Sequence, residues 1–157
     1  MSLRDQFRGT GIAIVTPFFN NGKIDWENFR KLINFWINNK IEYLTVLGTT
    51  GESATIHGSE KQQVFSFVHE VNAGRVPLMA GIGGNDTLEV VENLKTFNLE
   101  GYSAILSVSP YYSRPSQEGL FQHYKVLNSE TPLPIMLYNV PSRTGQSVSA
   151  DTQLRIA

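Results

Sequence analysis

Five short apolar runs, rich in β-branched residues, recur along this chain, and each is followed by a turn and an amphipathic stretch. The runs lie at 12–15, 43–47, 77–82, 104–108 and 135–138. They are almost continuously apolar, which is typical of strands buried on both faces of a parallel sheet. Strand and helix in strict alternation predict right-handed βα units and an α/β fold.

Apolar residues between the runs recur at the three- and four-residue spacing of a helix face. Gly74 and Gly101 are predicted to mark helix ends. The fifth unit has only the beginning of a helix, from about 149 to 157. The first helix carries its apolar face on Phe29, Leu32, Ile33, Trp36 and Ile37.

Residues that favour helix starts precede the predicted helices. Asp25, Ser59 and Ser116 are predicted N-caps. Asp86 with Glu89 three residues later resembles a capping box. These positions agree with the helices that the apolar spacing predicts.

Five βα units are compatible with two architectures. They form either a complete doubly wound sheet of the flavodoxin-like kind or the first five units of an eight-fold βα barrel. The predicted strands start about 31 residues apart, and eight such units need the roughly 250 residues typical of the barrel. On the barrel reading, residues 1–157 are the N-terminal portion of one domain, and its remaining strands and C-terminal helices lie outside them.

Composition excludes several classes of function. The chain has no cysteine, and its 13 basic and 14 acidic residues leave a net charge of -1 without a basic cluster, so nucleic acid is not an expected partner. Its three histidines lie too far apart in sequence for a short helical ligand pair, so no metal is expected. No stretch approaches the ~18 apolar residues of a membrane span, and no secretory leader is evident, so we expect a cytoplasmic protein without membrane contact.

The most polar strand ends carry the candidate chemistry, because ligands of α/β folds meet the carboxyl ends of parallel strands. After the second run comes GTTGES at 48–53, where Thr49 and Thr50 offer two hydroxyls beside backbone N–H groups. Such a turn suits a small carboxylate. The alternative is an ordinary turn whose threonines cap the next segment.

Tyrosines and arginines follow the fourth and fifth runs. Three tyrosines with ionisable phenol groups lie at strand ends, namely Tyr111, Tyr112 and Tyr138. If their hydroxyls converge, they can transfer protons along a chain of hydrogen bonds. A lone tyrosine in such a place is more often core packing with a wet hydroxyl. The guanidinium groups of Arg114 and Arg143 can bind carboxylates through two hydrogen bonds. The alternative is that both arginines are ordinary solvated surface residues.

Four segments together resemble a known family. They are GIAIVTPF at 11–18, GTTGES at 48–53, PYYSRP at 110–115 and YNVPSRTG at 138–145. The chain is similar over almost its whole length to the dihydrodipicolinate synthase and N-acetylneuraminate lyase family of Schiff-base aldolases. The synthase branch is the closer match, because sialate lyases lack an arginine placed like Arg143.

The resemblance implies a (β/α)8 barrel in which a lysine on the sixth strand forms an imine with pyruvate. An iminium is an electron sink, so the adjacent methyl group loses a proton and the resulting enamine attacks an aldehyde. In the synthase branch that aldehyde is L-aspartate 4-semialdehyde, in lysine and diaminopimelate biosynthesis. No metal or organic cofactor is implied.

The resemblance also implies roles for individual residues. Tyr138 would donate and accept the proton at the imine centre, and Thr49 would bridge it to Tyr112 from the neighbouring subunit of a homodimer or homotetramer. Thr49 and Thr50 would bind the pyruvate carboxylate. Arg143 would bind the carboxylate of the second substrate.

Feedback inhibition by lysine at a dimer interface is common in the family. Ser53, Asn85, Glu89 and Tyr111 are placed like the contacts of that effector. Gly58 and Lys61 stand where sensitive members often have histidines, and Lys61 is cationic. A cation there disfavours a cationic effector, so weak feedback is expected.

The imine lysine itself is expected beyond Ala157, because the strand step puts the sixth strand near position 165, at about 31 residues per unit. No lysine of this chain lies on a predicted strand. Residues 1–157 alone are therefore expected to be inactive and unable to close a barrel. Two alternatives stay open, namely another pyruvate aldolase acting on a sialate or keto-deoxy sugar acid, and a non-catalytic flavodoxin-like binding module.

Overall fold

The structure, a computed structural model, describes residues 3–131 and 133–157. Each of the five predicted strands is present within a few residues of its expected bounds. None of the helices in the described ranges is long and apolar enough to span a membrane. The strands are β1 Gly11–Ala13, β2 Tyr43–Val46, β3 Leu78–Gly81, β4 Tyr102–Val108 and β5 Ile135–Tyr138. The helices are α1 Leu3–Gln6, α2 Trp26–Asn38, α3 Gly58–Asn72, α4 Thr87–Thr96, α5 Gln117–Glu130, α6 Pro141–Thr144 and α7 Ala150–Ile156.

The five strands form one sheet in the order in which they occur along the chain, β1-β2-β3-β4-β5. The β1–β2, β2–β3 and β4–β5 pairs are parallel, with Ile12 opposite Leu44 and Ile105 opposite Ile135. A doubly wound sheet reverses its strand order at a switch point, whereas sequential order contains no reversal. The flavodoxin-like alternative is therefore wrong, and the strand order is that of consecutive barrel units.

The chain divides into two compact units. Unit 1 comprises the residues up to Gly81 together with Asn98–Ala104, and unit 2 comprises Ile82–Phe97 and Ile105–Ala157. In unit 1, α2 and α3 cover the strands, and the side chains of Phe29, Ile33, Leu44, Val64 and Leu78 are fully buried.

Unit 2 has its own core beneath α4, α5 and α7. Leu120, Tyr124 and Leu127 lie on one face of α5 and are at most 2 % exposed. Val90 and Leu94 face inward from α4. These buried positions follow the three- and four-residue spacing that the sequence predicts between the apolar runs.

Three of the four predicted helix starts are confirmed. The Asp25 carboxylate accepts a hydrogen bond from the Asn28 amide, Asp86 caps α4 through the amides of Leu88 and Glu89, and Ser116 Oγ caps α5. The Asp86 cap is one-sided, because within the described chain the Glu89 side chain returns no hydrogen bond to the backbone.

The prediction that Ser59 caps α3 is wrong. The helix begins one residue earlier, at Gly58, and its N-cap is His57, which makes no side-chain capping bond. Ser59 lies in the first turn. Gly101 also differs from expectation: α4 ends at Thr96, and Gly101, with φ of +80°, forms the turn into β4 instead.

Candidate active-site residues

The turn after β2 begins with a strained residue. Leu47 is 2 % exposed and has φ of +55°, a left-handed conformation that costs a branched side chain about 1–3 kcal/mol. A single 3-10 turn over Thr49–Gly51 follows, and Glu52, again at +55°, leads into a second turn over Ser53–Thr55. Strain of this kind is maintained by the surrounding packing and is concentrated at functional sites.

Two glycines allow this turn to pack against the neighbouring backbone. A β-carbon on Gly81, at the end of β3, would clash with the carbonyl group of Leu47. A β-carbon on Gly51 would lie 3.1 Å from the carbonyl oxygen of Ile14, just beyond β1. The turn is thus held between the ends of β1 and β3 by direct backbone contact.

A side-chain hydrogen bond also fixes the turn. Thr16, 4 % exposed, donates through Oγ1 to the carbonyl oxygen of Gly51 at 2.8 Å. In the sequence, Thr16 stands only as part of the GIAIVTPF segment at 11–18, which carries the family resemblance. Its buried hydroxyl and the partner 35 positions away could not be inferred from local pattern.

The two threonines predicted to bind a carboxylate lie on this turn. Thr49 and Thr50 are both exposed, and neither hydroxyl makes a hydrogen bond to any described residue. Their side chains are therefore available to a ligand, while the backbone that carries them is packed from two sides.

In unit 2, Tyr138 is the last residue of β5. Its carbonyl oxygen accepts a hydrogen bond from the Ser109 amide at 3.3 Å, while its phenol is half-buried and has no hydrogen-bond partner in the described chain. The segment that follows is closed by Asn139, whose carboxamide accepts from the Val148 amide at 3.1 Å and donates to Ser147 Oγ at 3.2 Å. A rigid loop therefore follows the tyrosine.

Arg143 lies within that loop, on the short helix α6, which sequence reasoning did not predict. Its side chain is exposed and forms no ion pair in the described ranges. The guanidinium of Arg114 packs against Gly145, where a β-carbon would lie 2.8 Å from Nε. Arg114 thus contacts the loop that presents Arg143, and Arg143 keeps a free cationic head.

Tyr111 and Tyr112 follow β4 and differ in exposure. Tyr112 is 91 % exposed and has φ of +70°, and the Ser113 amide donates to the Tyr111 carbonyl at 2.9 Å. The left-handed backbone at Tyr112 turns its ring away from the core of unit 2.

Two other tyrosines have structural roles. Tyr102 donates its phenol hydrogen to the carbonyl oxygen of Phe65 at 3.0 Å, and Tyr124 donates to that of Ser107 at 3.0 Å. Burial raises the pKa of both phenols above the ordinary value. They stay protonated and are not candidates for a catalytic base.

Buried polar groups at β4 were not anticipated from the sequence. The hydroxyls of Ser107 and Ser109 are fully buried and make no hydrogen bond within the described chain. Ser107 lies near the end of β4 and Ser109 directly follows the strand, so this strand end carries two buried hydroxyls. No signal in the sequence separates them from ordinary strand-end serines.

The residues placed like lysine-effector contacts fall in both units. Ser53 is half-buried in the second 3-10 turn of unit 1, and Lys61 lies in the first turns of α3. In unit 2, Asn85 and Glu89 are exposed at the start of α4, and Tyr111 is 39 % exposed. Within the described ranges, no group of three or more metal-ligating side chains is close enough to hold an ion.

A family model described as the dihydrodipicolinate synthetase family matches residues 6–157. The chain belongs to this family. It is 48 % identical over 151 residues to the 4-hydroxy-tetrahydrodipicolinate synthase of Flavobacterium psychrophilum and 51 % identical over 150 residues to that of Parabacteroides distasonis. Each match covers 96 % of this chain, but only 52 % and 50 % of the respective relatives. The chain thus spans about half the length of these members of the dihydrodipicolinate synthetase family.

Solved structures of the family have the same fold. The dihydrodipicolinate synthase of Bacillus anthracis matches with a TM-score of 0.89 and 44 % identity, over 94 % of this chain and 51 % of its own. The chloride-inhibited enzyme of Acinetobacter baumannii, solved with pyruvate, matches with a TM-score of 0.91 and 42 % identity, over the same shares. The fold is the (β/α)8 barrel, of which this chain supplies about the first five βα units.

Proposed function

We propose that the protein containing this chain condenses pyruvate with L-aspartate 4-semialdehyde to 4-hydroxy-tetrahydrodipicolinate, in the biosynthesis of lysine and diaminopimelate. The observation that carries the proposal is the pair of unengaged hydroxyls on Thr49 and Thr50, held on a strained turn packed against the ends of β1 and β3. Relatives that bear the synthase name support the choice of reaction.

The first step of the proposed reaction is imine formation. A lysine amine attacks the keto carbon of pyruvate, water leaves, and the iminium draws electrons from the neighbouring methyl group. We assign this lysine to the sixth strand, in the part of the relatives' length that this chain does not span. The hydroxyls of Thr49 and Thr50 bind the carboxylate through two short hydrogen bonds, which fixes the keto carbon relative to the amine.

The second step moves protons. Tyr138 accepts and returns the proton at the imine centre, and Thr49 connects it to Tyr112 from a neighbouring copy in a homodimer or homotetramer. Positioned acid–base groups of this kind contribute about 10²–10⁴ in rate. The exposure of Tyr112 supports this arrangement, because a residue that is 91 % exposed is accessible to a neighbouring copy.

The third step joins the two substrates. Loss of a methyl proton gives an enamine, whose carbon forms the new bond to the aldehyde carbon of L-aspartate 4-semialdehyde while the aldehyde oxygen takes up a proton to become a hydroxyl. The amine of the semialdehyde then attacks the iminium carbon and displaces the lysine amine, which closes the ring and releases the product. Arg143 binds the carboxylate of this second substrate, which its unpaired cationic fork suits. The proposed reaction uses no organic cofactor and no metal. We propose that the enzyme acts in the cytoplasm.

Residues 1–157 are proposed to be the N-terminal portion of a single barrel domain. Because the imine lysine belongs to a later strand, we expect this portion to be inactive by itself. Asn85, Glu89 and Tyr111 of unit 2 and Ser53 of unit 1 are proposed contacts of a weakly binding lysine effector.

Borohydride trapping tests the proposed function. The full-length protein is incubated with pyruvate, reduced with borohydride and examined by intact mass, and residues 1–157 expressed alone are the matched control. We expect one reduced pyruvate adduct on the full-length protein and none on the control, followed by turnover of L-aspartate 4-semialdehyde. Absence of the adduct on a folded full-length protein would falsify the imine mechanism. An adduct with turnover of sialate or a keto-deoxy sugar acid instead would assign the protein to another aldolase of the family.

A further inference from the structure

The hydroxyl of Thr16 holds the turn that carries Thr49 and Thr50. Thr16 is 4 % exposed and lies just beyond β1, and its Oγ1 donates to the carbonyl oxygen of Gly51 at 2.8 Å. Among the described residues, this is the only side-chain hydrogen bond that reaches the Thr49–Gly51 turn from elsewhere in the chain. Gly51 is the last residue of that turn, and it is buried.

The Gly51 carbonyl depends on this donor. The carbonyl oxygens at the end of a helical turn lack partners within the turn, and a buried carbonyl without one carries a desolvation cost. Glu52, the next residue, adopts φ of +55° and leads the chain into the second turn, away from a regular helical continuation. The Thr16 hydroxyl therefore sets the orientation of the peptide plane that closes the Thr49–Gly51 turn.

We infer that Thr16 is a positioning residue, which fixes the Thr49-Thr50 turn in the geometry that binds the carboxylate of the first substrate. The inference rests on the proposed function, in which that carboxylate belongs to pyruvate. Backbone packing at Gly51 and Gly81 limits how far the turn moves as a whole, so loss of the hydroxyl acts on peptide orientation within it. The expected effect is therefore on pyruvate binding more than on folding.

Three variants of the full-length protein test this role. Thr16→Val removes the hydroxyl and keeps the shape, Thr16→Ser keeps the hydroxyl, and Thr45→Val is the matched control. Thr45 is also a buried threonine of unit 1, but the hydrogen bond of its hydroxyl is a weak one to the Met79 sulfur at 4.0 Å. Steady-state kinetics give the Michaelis constants for both substrates, and hydrogen exchange of peptides spanning 47–52 reports on the turn without any ligand.

In Thr16→Val we expect the pyruvate KM to rise about tenfold, as loss of one hydrogen bond to a buried acceptor predicts. The semialdehyde KM should stay within about twofold, because that substrate binds elsewhere. The 47–52 peptides should exchange faster. Thr16→Ser and Thr45→Val should resemble the wild type in all three measurements.

An unchanged pyruvate KM in a folded Thr16→Val variant overturns the inference, as does equal impairment of Thr16→Ser. If Thr16→Val does not fold, Thr16→Cys, whose thiol is a weak donor, is compared with Thr16→Ser. A higher pyruvate KM in the Cys variant supports the role, and equal values overturn it. If the wild type traps no pyruvate, the proposed function has failed, whereas the exchange measurement still decides whether Thr16 holds the turn.

Discussion

Thr87 in α4 contacts the imidazole of His123 in α5, with Oγ1 lying 2.8 Å from Nδ1. The His123 ring is 4 % exposed, and its Nε2 atom makes no hydrogen bond in the described part of the chain. Burial lowers the pKa of His123 to about 4, because desolvation disfavours the imidazolium. Helices α4 and α5 of unit 2 are thus joined through an imidazole ring that is neutral at pH 7.

This contact predicts a pH dependence of stability. Between pH 6.5 and about 4, the imidazole of His123 is protonated in the unfolded chain but stays neutral in the folded one. The contribution of neutral His123 to the free energy of unfolding is therefore complete above pH 6.5 and is lost as the pH falls towards about 4. We expect a loss of about 2 kcal/mol in the free energy of unfolding. Urea denaturation of the full-length protein at pH 7.5 and 4.5 measures it.

In that experiment His123→Gln should show a smaller change between the two pH values. His57→Gln, an exposed residue before α3, is the control and should follow the wild type. Equal pH dependence in the wild type and His123→Gln would contradict the prediction.

Gly81→Ala should destabilise the protein, because a β-carbon there meets the carbonyl of Leu47, whose own backbone is strained. Backbone cannot yield as a side chain does, so we expect a loss of about 2–3 kcal/mol. Gly58→Ala is the matched control, since a β-carbon there contacts nothing within 4 Å. Urea midpoints of both full-length variants measure the difference, and equal midpoints would show that the turn adapts.

The helix caps offer a paired test of N-capping. Ser116→Ala removes the hydroxyl that accepts from the Gly119 amide at 3.1 Å, and should lower the free energy of unfolding by about 1 kcal/mol. Ser59→Ala lies in the first turn of α3 and should change it by less than about 0.5 kcal/mol. Denaturant unfolding of the full-length protein distinguishes the two. A larger loss of unfolding free energy in Ser59→Ala than in Ser116→Ala would contradict the conclusion that Ser59 does not cap α3.

Arg143→Ala tests the proposed binding of the second substrate. Pyruvate imine formation should be unchanged, while kcat/KM for L-aspartate 4-semialdehyde should fall about 30- to 100-fold, as expected for a lost charge-assisted pair. Arg30→Ala removes a surface pair with Glu70 and the contact of the guanidinium with the Phe67 ring; it is the control and should leave both measurements unchanged. Loss of the borohydride-trapped adduct in Arg143→Ala would assign this arginine to pyruvate instead.

Binding of L-lysine tests the proposed weak feedback. Lys61, in the first turns of α3, presents a cation to a cationic effector. Calorimetry on the full-length protein should give a dissociation constant above about 1 mM, which corresponds to about −4 kcal/mol. Lys61→His is the informative variant and should tighten binding. Sub-millimolar affinity in the wild type would refute the proposal.

The periodic parts of the fold were predictable from the sequence because apolar spacing reports burial directly. Both the strand positions and the inward face of α2 follow from it. Periodicity alone did not decide the architecture, because five βα units fit both a doubly wound sheet and a barrel segment. The resemblance of four segments to the family predicted the barrel, and that prediction is confirmed. Strand order settles that choice, and it depends on pairing between residues about 30 positions apart.

The identity and sequence positions of the candidate residues could be predicted from the sequence. The backbone conformation and packing that hold them in place could not. Thr49 and Thr50 stand out as hydroxyls after a strand, whereas Leu47 gives no local sign of its left-handed backbone. The backbone of Leu47 packs directly against Gly81 of β3, a contact between distant parts of the chain that no local pattern reveals. The prediction that Ser59 caps α3 was wrong, because the N-cap is His57. The position of a helix end is uncertain by one or two residues even when the helix itself is predicted correctly.

The sequential order of the strands has a consequence for synthesis. Each strand after β1 is synthesised after the strand it pairs with. Strand β2 can therefore pair with β1, and β5 with β4, before the later residues have been synthesised. Every addition closes a loop of only one βα unit, which keeps the entropy of closure small. A polypeptide arranged in this way can assemble by growth from its amino end.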